Sequence, residues 1–223
     1  MQKLKLSSHT VQILKNFSTI NPSVHVKPGK TLSTISSGKT IMARANIEEE
    51  FQHEFAINDI SRFLAALSLF KDPELEIDNT HAVISEGLKK MKYVFSDPKA
   101  IMSAPDKNIS LPSEDVVFKL TNDTMTDVNK VVSVLRLPHV VVTGERGKIS
   151  IGAADVSNPT TDNFASEVGE TNKSFSLVFK AENIKIMPMD YDVAICARGI
   201  SRFKAKDVTY FIAVEDKLSK FGG

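Results

Sequence analysis

The sequence predicts an α+β protein with two duplicated domains, each with helices packed on antiparallel sheets. Three observations lead to this prediction. Short runs of alternating apolar residues, bounded by glycine, proline and asparagine, fill most of the chain and are typical of strands and hairpins. Amphipathic stretches that begin with capping residues interrupt these runs. The elements follow the same order in both halves although few residues match, which indicates an internal duplication.

The composition is that of an ordinary globular protein. The 223 residues are 42% hydrophobic and 25% charged, with a net charge of +1, so the chain is long enough to bury a large core. The single cysteine, Cys196, excludes an internal disulfide. We expect a protein of a reducing host cytoplasm with no membrane partner, because no apolar run reaches the roughly 18 residues of a membrane helix and the N-terminus lacks a secretory signal. Near-neutral charge argues against strong attraction of the whole surface to nucleic acid, so any DNA contact depends on local charge.

Two helices are predicted in the first half. The first covers residues 7–20 and begins with a serine cap. The second covers residues 60–70, is capped by Asn58 or Asp59, and stops before Pro73. The strand-like runs of this half are 23–27, 31–35, 40–47, 51–57, 74–78, 81–86 and 90–96.

A proline-rich segment separates the halves. Residues 97–113 show no helical or strand period, so we interpret them as the connection between a first domain, residues 1–110, and a second, residues 111–223. The second half predicts a helix that Asn122 or Asp123 caps and that extends to Leu137, and a short helix over 181–187. Its strand-like runs are 116–120, 139–143, 148–152, 175–179, 191–197, 200–204 and 208–214.

No motif indicates catalysis. Two Gly-Lys-Thr triplets, at 29–31 and 38–40, lack the upstream glycine and the following helix of a P-loop, so we interpret them as turns. The five histidines fall in different elements, and one cysteine provides no zinc-ligand spacing. Cys196 is predicted to be a core thiol, and Glu48 to Glu50 a solvated turn. The sequence therefore predicts neither a metal nor a cofactor and favours binding or structure over chemistry.

Two stretches resemble a known family. Residues 14–21, Leu-Lys-Asn-Phe-Ser-Thr-Ile-Asn, and residues 59–69, Asp-Ile-Ser-Arg-Phe-Leu-Ala-Ala-Leu-Ser-Leu, are similar to the sliding clamp of T-even-type bacteriophages, the DNA polymerase processivity factor. A later pattern agrees: Phe-x-Leu-x-Phe from Phe175, then Ala-Glu-Asn-Ile-Lys-Ile-Met-Pro, then Tyr191. The order of elements matches over nearly the whole chain.

The resemblance implies the DNA-clamp fold and a non-enzymatic homotrimeric ring of six similar domains around double-stranded DNA. It also implies an ATP-driven clamp loader and a phage DNA polymerase tethered through a short peptide. Late-transcription machinery, a sigma-like factor with the host RNA polymerase, is a further implied partner. The chain departs from the family in net charge, because such clamps are usually acidic outside and basic within.

The resemblance also implies which residues face the DNA. The polar faces of the four predicted helices carry separated cations, with Glu182 as an acidic exception. Weak, sequence-independent phosphate contacts suit a protein that slides. Without the resemblance, ordinary solvated helix faces explain the same pattern better. The predicted DNA-facing residues are Lys15, Arg62, Lys130, Arg136, Lys180 and Lys185.

Two more surfaces are predicted. Ring closure requires a head-to-tail contact, for which the strands near 81–96 and 164–170 are candidate edges. Partner peptides are expected in an apolar pocket at the connection, and the alternative is that its residues only cover the domain junction. The predicted pocket residues are Ile101, Met102, Ile109, Leu111 and Phe221. A phage tail or capsid protein is the alternative function, and a nucleotide-using enzyme is a more distant one.

Overall fold

The computed structural model describes residues 1–158 and 160–222, and the chain divides into two compact units, Met1–Lys107 and Asn108–Gly223. The division falls inside the predicted connection. Each unit combines antiparallel strands with helical segments that bury one face on them. The predicted α+β class is therefore confirmed.

In the first unit, α1 (Ser8–Ile20) and α2 (Ile60–Leu67) begin at capped ends. The Oγ of Ser7 accepts a hydrogen bond from the Thr10 N–H (3.1 Å), and the Asp59 carboxylate accepts one from the Arg62 N–H (2.9 Å). The strands are β1 (Gln2–Leu4), β2 (Val24–Val26), β3 (Gly29–Ile35), β4 (Ile41–Phe51), β5 (Phe55–Ile57), β6 (Glu74–Ile77), β7 (His81–Glu86) and β8 (Lys89–Val94).

The second unit contains α3 (Asn122–Leu135) and a further set of strands. These strands are β9 (Val116–Leu120), β10 (His139–Glu145), β11 (Lys148–Ala154), β12 (Phe164–Glu170), β13 (Ser174–Lys180), β14 (Tyr191–Cys196), β15 (Ile200–Lys204), β16 (Val208–Ala213) and β17 (Lys220–Gly222). Short 3₁₀ turns cover Pro98–Ala100 in the first unit and Ala181–Asn183 in the second.

The two units repeat one pairing pattern. In the first, β1 pairs with β6, and the sheet continues through β7 to β8; in the second, β9 pairs with β14, and the sheet continues through β15 to β16. The pairs β2–β5 and β3–β4 correspond to β10–β13 and β11–β12. This shared connectivity confirms the predicted duplication.

Three boundaries of the second and third helices differ from the predictions. The second helix ends at Leu67 rather than residue 70. The cap of α3 is Thr121, not Asn122 or Asp123, because the Thr121 Oγ1 accepts a hydrogen bond from the Thr124 N–H (3.2 Å). The same helix stops at Leu135 because Arg136 takes a left-handed conformation (φ 53°), which ends the helical hydrogen-bond series ahead of Pro138.

The predicted fourth helix over 181–187 is wrong. Only the 3₁₀ turn Ala181–Asn183 forms, and the following segment is held by two buried tyrosines. The Tyr191 hydroxyl donates to the Met187 carbonyl (2.7 Å), and the Met187 N–H donates to the Tyr210 hydroxyl (3.3 Å). Burial raises the pKa of both tyrosines, so both hydroxyls stay protonated. The bond to Tyr210 uses the Met187 N–H, which a helix over 181–187 would direct to the Asn183 carbonyl.

The acidic run Glu48 to Glu50 is not a turn but the end of β4. The predicted run 51–57 accordingly divides, since β4 includes Phe51 and β5 starts at Phe55. The half-buried Glu49 carboxylate accepts hydrogen bonds from the Ser7 N–H and the Thr10 hydroxyl at the start of α1. Burial raises the pKa of Glu49, but these hydrogen bonds outweigh burial and hold the pKa below its ordinary value of 4.5.

Glu49→Gln is expected to lower stability at neutral pH and not in acid. Because the pKa is lower in the folded state, the carboxylate contributes stability above 4.5 that is lost as pH falls through the lowered pKa. Measured by urea unfolding, the loss should be about 1 kcal/mol at neutral pH and should shrink as the pH is lowered through the shifted pKa. Glu48→Gln, on the exposed neighbour, is the control. A loss that stays equal as the pH is lowered would contradict the assignment.

Candidate functional site

The first unit presents two neighbouring helices whose exposed faces carry cations and no acids. Lys15 lies on the exposed face of α1, and Arg62 lies on that of α2. Neither helix contains an acidic residue, and within residues 1–158 and 160–222 neither cation forms an ion pair. The buried faces hold Ile13 and Phe17 of α1 and Phe63 of α2. The predicted separation into an apolar and a weakly basic face is present here.

The third helix is less basic than predicted. Lys130 is exposed but lies 3.3 Å from the Asp127 carboxylate on the same helix, which offsets its charge. Arg136 is exposed at the left-handed residue that follows the helix. The predicted apolar side is buried at Met125 and Val128 only. Near the end of α3, Val134 is 78% and Leu135 40% exposed, so the helix carries an apolar surface that the sequence periodicity did not predict.

Lys180 and Lys185 do not lie on a helix, which corrects their predicted setting. Lys180 is the last residue of β13, and its Nζ lies 4.0 Å from a Glu215 carboxylate oxygen. Lys185 is half-buried in the segment after the 3₁₀ turn. Their contact with DNA stays a prediction, as it does for the helix cations.

We call residues 97–113 the connector. Side chains from elsewhere in the first unit hold the part of the connector that belongs to that unit. His25 Nδ1 lies 2.8 Å from the Ser103 hydroxyl, and its Nε2 lies 2.8 Å from the Glu54 carboxylate. Lys27 Nζ donates to both carboxylate oxygens of Asp106 (2.6 and 2.7 Å). The His25–Ser103 and Lys27–Asp106 contacts join residues about 80 positions apart, so no local sequence pattern predicts them.

The same stretch has a third tie. The Arg44 guanidinium donates to the carbonyls of Pro105 (3.1 Å) and Asp106 (3.3 Å). The Lys27 ammonium lowers the pKa of Asp106, so this carboxylate stays charged at neutral pH. Irregular backbone is thereby held by charged side chains from β4 and from the residue that follows β2.

The end of the connector is anchored separately in the second unit. The Asp115 carboxylate accepts hydrogen bonds from the Ala197 N–H (2.9 Å) and the Ser113 hydroxyl (2.7 Å). These bonds lower the pKa of Asp115. Arg202 lies 2.8 Å from the Glu114 carboxylate. Cys196, buried at the end of β14, lies 3.2 Å from the Ser113 hydroxyl.

The five predicted pocket residues are divided between the units. Ile101 is half-buried and Met102 is 42% exposed in the first unit; Ile109 and Leu111 are half-buried in the second. Phe221 belongs to β17, where its ring stacks on Phe175 with centroids 5.9 Å apart. Phe221 therefore packs on its own sheet, which favours the structural interpretation for this residue. The pocket stays a prediction.

Each unit has a sheet edge to which no described strand is added. β8 ends the sheet β1-β6-β7-β8, and β12 ends the sheet β12-β11-β10-β13-β17. The opposite ends of these sheets are the three-residue strands β1 and β17. The two longer edges, β8 and β12, lie within the strands that we predicted from the sequence as candidates for subunit contact.

The remaining motifs behave as turns or core. Both Gly-Lys-Thr triplets lie at strand and hairpin positions: Gly29 starts β3, and Lys39 has a left-handed φ of 56° before β4. In the described part of the chain, no group of three or more histidine, cysteine, aspartate or glutamate residues has a geometry that would hold a metal. None of the described helices is both long and apolar enough to cross a membrane.

Comparison with known proteins identifies matches over both units. Residues 5–102 match the family described as "DNA polymerase processivity factor", and residues 117–216 match "gp45 sliding clamp, C terminal". The chain is 32% identical to the sliding clamp of Vibrio phage KVP40 over 220 residues, which cover 95% of this chain and 99% of that protein. It is 28% identical to the sliding clamp of Escherichia phage RB69, with 95% and 97% covered.

Solved structures show the same fold at low identity. The PCNA of A. fulgidus superposes with a TM-score of 0.71 at 13% identity, over 96% of this chain and 98% of that one. The Proliferating Cellular Nuclear Antigen of Entamoeba histolytica gives 0.68 at 12% identity, with 96% and 97% covered. The architecture described above is the clamp fold.

Proposed function

Because this chain belongs to the sliding-clamp family of phage DNA polymerase processivity factors, we propose that three copies enclose duplex DNA and hold it by topology. The observation that carries the ring is the presence of two different unpaired edges, β8 in one unit and β12 in the other. Identical chains that join through two different surfaces form closed rings when the rotation closes. The basic faces of α1 and α2, with Lys130 and Arg136, line the hole in this proposal.

Charge supports pairing between these edges. The exposed face of β8 carries Lys90, Lys92 and Val94, the last 66% exposed. The exposed face of β12 carries Ala165 and Glu167. An antiparallel register that sets Val94 against Ala165 places Lys92 opposite Glu167, since partners in such a ladder change in opposite directions. Two copies of β8, or two of β12, would instead bring like charges together.

Reversing one charge at this contact is expected to break the ring. Lys92→Glu or Glu167→Lys alone should convert the trimer to monomers at about micromolar concentration, because each places like charges opposite each other at every contact. Both changes in one chain restore opposite charges and should restore the trimer. Size-exclusion chromatography with light scattering measures the mass. Trimers of both single variants would contradict this register, and a monomeric wild type would contradict the ring.

The proposal extends to partners. The ring tethers the phage DNA polymerase, is opened by an ATP-driven clamp loader and acts in the host cytoplasm without catalysing a reaction. A sigma-like late-transcription factor with the host RNA polymerase is a further proposed partner. The test is processive synthesis with cognate polymerase and loader: the clamp should stay on circular DNA and leave linear DNA through its ends. Matches to sliding clamps along nearly the whole chain give no support to the tail or capsid alternative.

A further inference from the structure

We propose that His25, Lys27 and Arg44 are positioning residues that hold the first part of the connector in the conformation that partner peptides recognise. This inference rests on the proposed function, because it concerns the docking of partners on the connector. It adds three residues, far from the predicted pocket in sequence, that touch no partner themselves. We call their contacts with Ser103, Asp106 and the carbonyls of Pro105 and Asp106 the latch.

The latch holds backbone that has no regular structure to order it. Beyond the 3₁₀ turn Pro98–Ala100, residues 101–107 belong to no helix or strand. The upstream end is fixed where the Ser96 N–H donates to the Ala56 carbonyl of β5 (2.8 Å). From there to Lys107, Ala104 alone is buried, so apolar packing contributes little to the order of this stretch. Charged hydrogen bonds therefore supply most of it.

The three latch side chains hold the connector from rigid positions in the first unit. His25 lies on β2 and Lys27 directly follows it, while Arg44 lies on β4; these are strands of the first unit that the core keeps rigid. Charge-assisted hydrogen bonds are stronger than neutral ones, and a guanidinium that donates to more than one acceptor also fixes their relative positions. The Arg44 guanidinium donates to the carbonyls of two successive residues, Pro105 and Asp106, and so fixes the path of the main chain there. Met102 stays exposed on the stretch that this path supports.

Pre-ordering of this kind lowers the cost of binding. A peptide that docks on a mobile segment must order it, and each ordered group reduces affinity. The latch residues remove that cost in advance. The prediction is that loss of the latch weakens peptide binding without removing any residue that the peptide contacts.

The experiment measures connector order and peptide affinity in the same proteins. Lys27→Met with Arg44→Met removes two ties, and Lys30→Met, at an exposed lysine of β3 without an ion pair in the described residues, is the matched control. The probe is the tightest binder from a set of overlapping peptides tiled along the cognate polymerase. The latch variant should exchange amides faster over 101–107 and bind about five- to tenfold more weakly. The control should match the wild type in both measurements.

A charge swap separates the ion pair from a general loss of structure. Lys27→Glu alone should behave like the latch variant, and Lys27→Glu with Asp106→Lys should recover slow exchange and affinity. If the wild-type connector gains no protection when any peptide binds, the docking proposal fails. If it gains protection but the latch variant binds equally tightly or exchanges equally slowly, the positioning role is overturned and the docking proposal stands.

Discussion

Reversing the four cations proposed to line the hole should leave the trimer intact and lower the amount of clamp that is loaded and retained on DNA. In Lys15→Glu, Arg62→Glu, Lys130→Glu and Arg136→Glu combined, the proposed lining of the hole becomes acidic, so phosphates are repelled instead of weakly attracted. We expect the amount of clamp retained on nicked circular DNA to fall by about tenfold. All four side chains are exposed, so folding should be preserved. The measurement is gel filtration of labelled clamp with circular DNA after loading.

The matched control changes the same number of charges elsewhere. Lys30, Lys39, Lys206 and Lys217 are exposed and lie outside the helices. Their combined reversal to glutamate alters the net charge equally, yet retention should stay near that of the wild type. Equal losses in both variants would indicate an effect of overall charge. Unchanged retention in the helix variant would show that these helices do not line the hole.

Gly152→Ala should be the most damaging small substitution in the second unit. Gly152 of β11 pairs with Ala165 of β12, and a Cβ at this position would lie 1.8 Å from the Phe164 carbonyl oxygen. Because that contact is with backbone, β12 itself must move away. We expect a loss of at least about 2 kcal/mol and a melting temperature lower by roughly 5 °C. The displaced edge should also weaken trimer formation.

Gly38→Ala makes the same chemical change without the clash. Its added Cβ would meet only Thr40 side-chain atoms at 3.8 Å or more, and its φ lies outside the left-handed region. Its melting temperature should stay within about 1 °C of the wild type. Calorimetry of both variants, followed by light scattering, tests stability and assembly separately. A Gly152→Ala protein that loses stability yet forms the trimer as readily as the wild type would contradict the role of β12 as an assembly edge, and one with unchanged stability would contradict the backbone clash.

Local patterns predicted the elements that form from their own residues. α1 has an apolar stripe at helical spacing with a serine ahead of it, and the structure places Ser7 at the cap. Alternating runs between turns became strands with small shifts at their ends, because alternation places every second side chain on one face wherever the strand pairs. The repeated order of elements predicted the duplication for the same reason.

Features that depend on residues distant in the chain were not predictable in this way. Residues 181–187 have a helical pattern, yet Tyr191 and Tyr210 take the backbone groups of Met187, so Lys180 and Lys185 lie outside any helix. The run of three glutamates predicts that Glu49 is solvated, but in the structure its carboxylate accepts hydrogen bonds from Ser7 and Thr10 at the start of α1.

The amino-acid order alone settled the fold class, the duplication and the weakly basic faces of the first two helices, since each follows from the spacing of neighbouring side chains. The carboxylate beside Lys130 comes from Asp127, three residues earlier on the same helix, so local spacing could have indicated it. Folding in three dimensions added the exposed apolar end of α3 and the ties on the connector. These depend on distances between side chains that the chain brings together only after its strands have paired, and hydrogen bonds and ion pairs form or fail within about an ångström.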